Sequence, residues 1–311
     1  MPFTHGRRFR VCAIAWALST SILLGAQQPR PFRTSVDLIS LPVTVTGPTG
    51  RYAMDLSADD FEVFEDGRPQ EVAFFSRTNP ALSVSMLVDS SSSMEERMLL
   101  AQRGAIEFVG KLRPNDVAEI VDFDSRVEIL QPFTDNRALL TAAIDRLRAG
   151  GSTALYNAVY ITLRQFEKFR TRPRDEPGRE VIVVLSDGED TSSLITFDEL
   201  LDLVKRSQTV IYSIGLGLEN PVSKTGNAVG EFALRRLAQE TGGRLFTPKR
   251  PEDLSGVYGQ IADELSNQYV IGYLSRNDQH DGRWRSITVS VKRPQLQART
   301  RLGYYAPAPY R

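Results

Sequence analysis

The chain holds one cysteine, Cys12, and two histidines, His5 and His280, in 311 residues. A single thiol forms no intrachain disulfide and supports no thiolate-rich zinc site. His280 sits in the polar stretch 277–282, which looks like a turn rather than a catalytic scaffold. Such scarcity argues against most nucleophilic and zinc-dependent catalysis. No GxxxxGKS or GxxxxGKT stretch is present to cradle a nucleotide's phosphates. Net charge is absent too: 38 basic residues balance 38 acidic ones, so nothing electrostatic points to nucleic acid. What remains is an ordinary globular composition, 41% hydrophobic and 24% charged, with enough apolar residues for one large domain or two smaller ones.

The N-terminus has a different grammar. Arg7, Arg8 and Arg10 precede an apolar run from Val11 to Leu24 that is broken by Ser19, Thr20 and Ser21. Gly25-Ala26-Gln27-Gln28-Pro29 follows and offers a processing site after Ala26. The run is short and polar in its middle, which suits a signal peptide over residues 1–26 better than a membrane span. The expected destination is therefore the periplasm or the extracellular space, with membrane attachment only if the segment stays uncleaved. Cleavage would take Cys12 and His5 with it. It would also leave 35 basic residues (38 less three arginines) against 38 acidic ones.

Residues 28–80 look β-rich. Val36 to Thr46 is rich in β-branched residues, Phe61 to Glu65 alternates, Asp66-Gly67 marks a hairpin, and Gln70 to Phe75 alternates again. Residues 81–267 then alternate strands with helices. Strands are expected over 82–88, 117–123, 127–133, 180–185, 210–216 and 244–246, and helices over 95–112, 136–147, 154–169, 197–207, 231–241 and 251–267. This order predicts an α/β fold: a doubly wound, mostly parallel sheet with helices on both faces. Residues 268–311 return to β grammar, with strands over 269–273, 285–291 and 298–305. The two β-rich ends are expected to pair into a small β-sandwich flanking the α/β unit.

Three segments of the α/β unit carry chemistry. Asp89-Ser90-Ser91-Ser92-Ser93 follows the first strand, Gly150-Gly151-Ser152-Thr153 leads into a helix, and Ser186-Asp187-Gly188 ends a wholly apolar strand. Open α/β sheets place ligand sites at the edge where these strand ends lie. Capping of the next helices is the simpler role for Asp89, Thr153 and Asp187. Ser90 and Ser92 are expected to be backbone-bonded or solvated, Glu189 and Asp190 to be solvated, and Asp122 and Asp124 to lie in an outer shell or loop. Tyr156, Trp284, Tyr304 and Tyr305 are expected to serve packing.

Taken together, the segments resemble the metal-ion-dependent adhesion site of von Willebrand factor type A (VWA) domains, a DxSxS stretch with a distant threonine and a distant aspartate. The matching residues are Asp89, Ser91, Ser93, Thr153 and Asp187, and the likeness extends over about 81–265. The resemblance implies a bound Mg²⁺, or Mn²⁺ or Ca²⁺, with the hydroxyls ligating directly and the aspartates often through water. Hydroxyl ligands leave most of the cation's charge uncompensated, so a partner protein's Asp or Glu carboxylate can complete the shell. The flanks FEVFEDGRPQ (61–70), QYVIGY (268–273) and GYYA (303–306) resemble the VWFA-related Acidobacterial domain family.

The expected function is thus divalent-cation-dependent protein binding outside the cytoplasm, in adhesion or complex assembly, without catalysis. An accessory subunit of an ATP-driven or cofactor-inserting assembly system is the alternative, and a metal-assisted hydrolase a more distant one. The site is expected at the surface, so that loss of the Asp89 carboxylate would leave the fold nearly intact.

Overall fold

The computed structural model describes residues 38–78, 80–170, 178–217 and 226–308. The expected signal peptide, residues 1–26, lies outside the described residues, as do positions 36 and 37 of the first expected strand. Among the described residues no helix is long and apolar enough to cross a membrane.

The chain opens with four strands, β1 (Leu38–Thr46), β2 (Phe61–Glu65), β3 (Arg68–Gln70) and β4 (Val72–Ser76). β2 and β3 form a hairpin whose turn residues, Asp66 and Gly67, have φ of 48° and 74°. Both central positions of this tight turn need positive φ, which Asp-Gly tolerates. The α/β unit follows with β5 (Leu82–Asp89), α1 (Met98–Lys111), β6 (Val117–Phe123), β7 (Val127–Thr134), α2 (Arg137–Ile144), α3 (Leu155–Arg170), β8 (Arg179–Ser186), α4 (Phe197–Arg206), β9 (Val210–Gly215), α5 (Gly226–Thr241), β10 (Leu245–Phe246) and α6 (Leu254–Ser266). The chain returns to β11 (Tyr269–Leu274), β12 (Trp284–Val291), β13 (Gln297–Arg299) and β14 (Gly303–Tyr305). The last expected strand, 298–305, is thus two short ones that pair with different partners.

The central sheet has six strands in the order β10-β9-β8-β5-β6-β7. All pairs are parallel except β6 with the edge strand β7. β5 is buried at every position, and so is β8 from Val181 onward. Helices cover both faces of the sheet, which is why these strands read as apolar runs rather than as alternations. One face packs Val84, Met86 and Val183 against Phe108, Ile144 and Ile261 from α1, α2 and α6. The other packs Leu87, Ile182 and Val184 against Val159, Leu200 and Leu237 from α3, α4 and α5. Each such side chain contributes roughly 1.5–3 kcal/mol on burial.

Two four-stranded antiparallel sheets accompany it, ordered β13-β1-β11-β4 and β14-β12-β2-β3. Both mix strands from the two ends of the chain. Residues 38–43 of β1 run beside 269–274 of β11, and residues 61–65 of β2 beside 287–291 of β12. Their inner faces enclose one cluster that includes Val43, Phe61, Tyr269, Ile271 and Ile287. A second contact joins these strands to the α/β unit. The Tyr305 hydroxyl donates to Asp202 of α4 at 2.9 Å, Arg206 lies 4.0 Å from the Tyr305 ring centroid, and Trp284 and Tyr305 meet edge to face.

Polar atoms also cross the seam. Glu264 of α6 is 1% exposed. Its Oε1 accepts hydrogen bonds from Tyr212 of β9 at 2.7 Å, from Thr44 of β1 at 3.2 Å, and from Arg299 of β13. Gln268 extends the network, donating to Thr44 and Tyr212 and accepting from Arg179 at 2.6 Å. Removing a carboxylate like this one strands a cation and two hydroxyls. We therefore expect Glu264→Ala to cost about 3 kcal/mol, read as a lowered urea midpoint. An unchanged midpoint would show that the network does not hold the seam.

A second buried acid has no such partners. Glu119 of β6 is 2% exposed and its Oε1 makes no hydrogen bond; its register neighbour on β5 is Ser85. Burial pushes its carboxyl from 4.5 up to about 7, only partly offset by the Ser85 hydroxyl. The folded chain therefore holds a proton that the unfolded chain releases. The stability tied to this group is fully present below the unfolded value and is lost as pH rises through about 7. The shift corresponds to about 3 kcal/mol. Glu119→Gln should remove that loss: urea unfolding at about pH 5 and about pH 8 should differ less in the variant than in the wild type.

Candidate functional site

The sheet order creates the site. From β5 the chain moves to β6 and β7 on one side, then crosses back to β8 on the other. The C-terminal ends of β5 and β8 lie side by side, Val88 opposite Leu185, where the winding reverses. Loops leaving such neighbours in opposite directions open a crevice between them. Asp89 is the last residue of β5, and Ser186 is the last of β8.

Side chains and backbone at this point together form a closed ring. Asp89 Oδ1 accepts from the Ser91 N–H at 2.9 Å. The Ser91 and Ser93 hydroxyls lie 3.0 Å apart. Ser93 donates to Asp187 Oδ2 at 2.6 Å, and Ser186, bonded in sequence to Asp187, donates back to Asp89 Oδ2 at 2.6 Å. Four of the residues singled out in the sequence are thereby brought together. Ser186 is a fifth member that sequence reasoning missed; its hydroxyl also accepts from the Gly188 N–H at 2.9 Å. A hydroxyl directly before Asp187 at a strand end was the available signal.

Thr153 lies on a neighbouring loop, and its backbone bonds Thr191 and Ser192 rather than the ring. The loop that carries it is tied to the serine loop by Gly150 N–H to Ser90 O at 2.7 Å and by Ser92 N–H to Gly151 O at 3.1 Å. From the other side, Thr191 and Ser192 donate their N–H groups to Thr153 O, and the Thr153 N–H donates to Thr191 Oγ1 at 3.0 Å. Thr153 is 5% exposed. Two glycines allow the close approach. Gly151, at φ 78°, passes the Asp124 carboxylate, and the Gly188 backbone, at φ 86°, lies against Gly230 of α5. A Cβ at Gly188 would come within 2.6 Å of that backbone.

The capping roles fall to other residues. The first turn of α3 is satisfied by the loop after β8. Asp190 Oδ1 accepts from the Tyr156 N–H at 3.0 Å, and Ser193 Oγ from the Asn157 N–H at 3.0 Å. Asp190, expected in solvent, is thus a cap supplied from a distant loop, which no local pattern encodes. Asp89 accepts from Ser91 and Ser186, and Asp187 from Ser93 and the Glu189 N–H, so neither carboxylate caps an α-helix. Tyr156 packs on Phe197, 5.6 Å between ring centroids. Asp124 Oδ1 accepts from the Arg126 N–H, which keeps it a loop residue.

One expectation about the site is corrected. Asp89 is 0% exposed, at the bottom of the crevice rather than at the surface. Burial pushes its carboxyl up to about 6; the hydrogen bonds from Ser186 and Ser91 pull it down, and the charge of Asp187 adds to the rise. Loss of Asp89 therefore also orphans Ser186 and the Ser91 N–H, so a nearly intact fold is not expected.

The ring gathers two carboxylates and the hydroxyls of Ser91, Ser93 and Ser186, all hard oxygens. Among the described residues no Lys or Arg pairs with Asp89 or Asp187, and no group of three or more His, Cys, Asp or Glu side chains converges as a metal cage. A hard divalent cation suits this set, since it offers oxygen alone and leaves two acidic groups in need of positive charge.

The sequence profile of the von Willebrand factor type A domain matches residues 84–260. A UPF0353 protein of Nocardia farcinica is 25% identical, with 62% of this chain and 66% of the relative covered. A UPF0353 protein of Mycolicibacterium vanbaalenii is 24% identical, covering 61% and 62%. The chain thus spans about two thirds or less of the length of these relatives. Among solved structures, the D319A mutant of the PilB minor pilin from Streptococcus sanguinis is similar over 62% of this chain and 63% of that one, with a TM-score of 0.50 at 13% identity. The von Willebrand factor type A protein from Catenulispora acidiphila covers 89% and 75%, with a TM-score of 0.49 at 13% identity. With a profile match over more than half of its length and the sheet order described above, the chain belongs to the von Willebrand factor type A domain family.

Proposed function

We propose that the chain binds a partner protein through a divalent cation held by Asp89, Ser91, Ser93, Thr153 and Asp187. The observation that carries this reading is the closed ring at the switch point, which gathers hydroxyls and two carboxylates on one crevice. Ser91, Ser93 and Thr153 would supply neutral ligands, and Asp89 and Asp187 would balance part of the charge. The cation would lend Lewis acidity toward a carboxylate offered from outside. Ser186 would orient Asp89, and the Thr191–Thr153 contacts would hold the third hydroxyl.

The rim suits a protein surface. Leu194 is 92% exposed, in the loop that bonds Thr153 and caps α3. Val229 and Phe232, on either side of Gly230 where it touches Gly188, are 61% and 59% exposed. An acidic side chain ringed by apolar ones on the partner would match this rim. Membership of the von Willebrand factor type A domain family supports binding rather than catalysis. The signal-like residues 1–26 support a site of action outside the cytoplasm.

Asp187 is half-buried and Ser93 exposed, so their variants separate binding from folding. Asp187→Ala and Ser93→Ala should weaken Mg²⁺ or Mn²⁺ binding by calorimetry on the order of 100-fold and about tenfold, with little change in melting temperature. Mn²⁺ binding that survives Asp187→Ala unchanged would refute the assignment. Asp89→Ala should lose the metal and also about 1–3 kcal/mol of stability, because it orphans two buried donors. Partner capture should then fail with chelator and return with Mg²⁺; capture indifferent to chelator would leave cation dependence without support.

A further inference from the structure

The opposite end of the central sheet carries a second site. A cavity of about 490 Å³ lies on the seam, at the N-terminal ends of β8 and β9 and under β1, β4 and β11. Its volume falls in the range of small-molecule pockets, roughly 300–1,000 Å³. β8 runs from Arg179 at this cavity to Ser186 at the candidate metal site, so about 23 Å of strand separate the two.

Two guanidiniums line the cavity, those of Arg179 and Arg301. Among the described residues neither meets a carboxylate. Arg179 donates to the Gln268 side-chain oxygen at 2.6 Å and to Leu265 O at 2.7 Å, while its Nε is buried without a partner. Arg301 donates to Gly303 O at 2.6 Å and to Lys205 O at 3.0 Å. Burial pushes each guanidinium down to about 10, which leaves both charged at neutral pH. Carbonyl and amide oxygens orient a guanidinium but do not cancel its charge, and a desolvated cation without a counter-charge is costly. Glu180 is the acid among the described residues of the wall, and it accepts a hydrogen bond from Thr209 at 3.0 Å. Among the described lining residues, two arginines stand against one glutamate.

The rest of the wall is largely apolar. Pro42, Val210 and Val270 contribute to it, as does Phe74, which is 47% exposed. An exposed aromatic ring on a cavity wall is a surface that a ligand's apolar body can cover. More arginine than acid among the described lining residues, donors in planar guanidinium geometry and an apolar wall together define the ligand chemistry. Inorganic anions would use the charge and waste the wall, whereas neutral lipids would do the reverse.

We infer that this seam cavity binds a small amphipathic monocarboxylate, with its carboxylate on Arg179 and Arg301 and its apolar body against Phe74, Val210 and Val270. A guanidinium presents two parallel N–H groups that match a carboxylate's two oxygens. Because the walls come from both the α/β unit and the flanking strands, an occupied cavity also ties the two together and raises stability by mass action.

The test uses the full chain and three probes in calorimetry: octanoate, octanamide and inorganic phosphate. Octanoate should bind with one-to-one stoichiometry and raise the melting temperature, at least about tenfold more tightly than octanamide or phosphate. Arg301→Gln and Arg179→Gln should each weaken octanoate about tenfold or more. Phe74→Ala, a half-exposed position, should weaken octanoate and leave phosphate unchanged. Equal affinity for octanoate and octanamide would overturn the role of the arginines. Phosphate binding as tightly as octanoate would overturn the role of the apolar wall. No heat at millimolar octanoate would overturn the site itself. If an arginine variant fails to fold, the wild-type comparison of octanoate with octanamide still decides.

Discussion

A single buried carboxylate, Glu264, governs how the two parts of this chain meet. It projects from the last helix of the α/β unit and is met by Tyr212 from the central sheet, by Thr44 from the first strand of the chain, and by Arg299 from near its end. None of these groups can be satisfied by its own sheet alone. A carboxylate that deep is tolerable only when its partners arrive together, so flanking strands that docked elsewhere would leave it bare. Apolar contact along a seam accepts many alignments, and a convergent polar network accepts few. Glu65 acts in the same way inside the flanking sheets, where Tyr273, Tyr304 and Arg285 gather on it from three strands. The specificity of the assembly thus rests on a few buried acids, while the bulk of its stability rests on the three apolar clusters.

Once the seam is set, the placement of the crevice follows from winding alone. β5 lies at the centre because the chain extends the sheet to one side and then returns to the other. The loops after β5 and β8 must therefore diverge, and the polar residues that end those strands face each other across the gap between them. Glycine contact at Gly188 and Gly230 holds the β8 loop down on α5, and Asp190 with Ser193 holds it on α3. The ring of hydrogen bonds from Asp89 to Asp187 is thus supported on every side before any ligand arrives. Such support holds the oxygens of the crevice at fixed positions.

How much of this could be seen in the sequence depends on range. The buried strands were legible because a short apolar run bounded by polar turns fits little besides a strand covered on both faces, and 82–88 and 180–185 fall within β5 and β8. The Asp66-Gly67 turn was legible because its backbone demands those residue types. The gathering of Asp89, Ser91, Ser93 and Asp187 was legible through likeness of spacing. Long-range satisfaction was not. Asp190 looks like a loop acid, and only the fold shows it capping a helix that begins 35 residues earlier, at Leu155. The depth of Asp89 was missed for a related reason. Position at a strand end suggests a surface, but burial depends on which loops close over that end. The break of 298–305 into β13 and β14 escaped because alternation continues across Thr300 and Leu302 while the pairing partner changes.

The two ends of β8 now show one physical principle with opposite signs. At the C-terminal end, burial raises the Asp89 carboxyl; at the N-terminal end, burial lowers the guanidinium of Arg179. In both places the charged form is held where water is scarce, and no opposite charge among the described residues pairs with it. Structural ion pairs elsewhere do not look like this. Asp116, which is 1% exposed, receives the Arg113 guanidinium through both oxygens, and Glu240, 3% exposed, lies 2.7 Å from Arg236. At Asp116 and Glu240 the chain thus neutralises a buried charge with a neighbouring arginine. Leaving one unanswered lowers stability, and such sites cluster where a ligand of opposite charge is received. Between the two ends, Val181 to Leu185 of β8 is wholly apolar and buried. On the functions proposed for its two ends, β8 would hold a cation acceptor and an anion acceptor about one strand length apart.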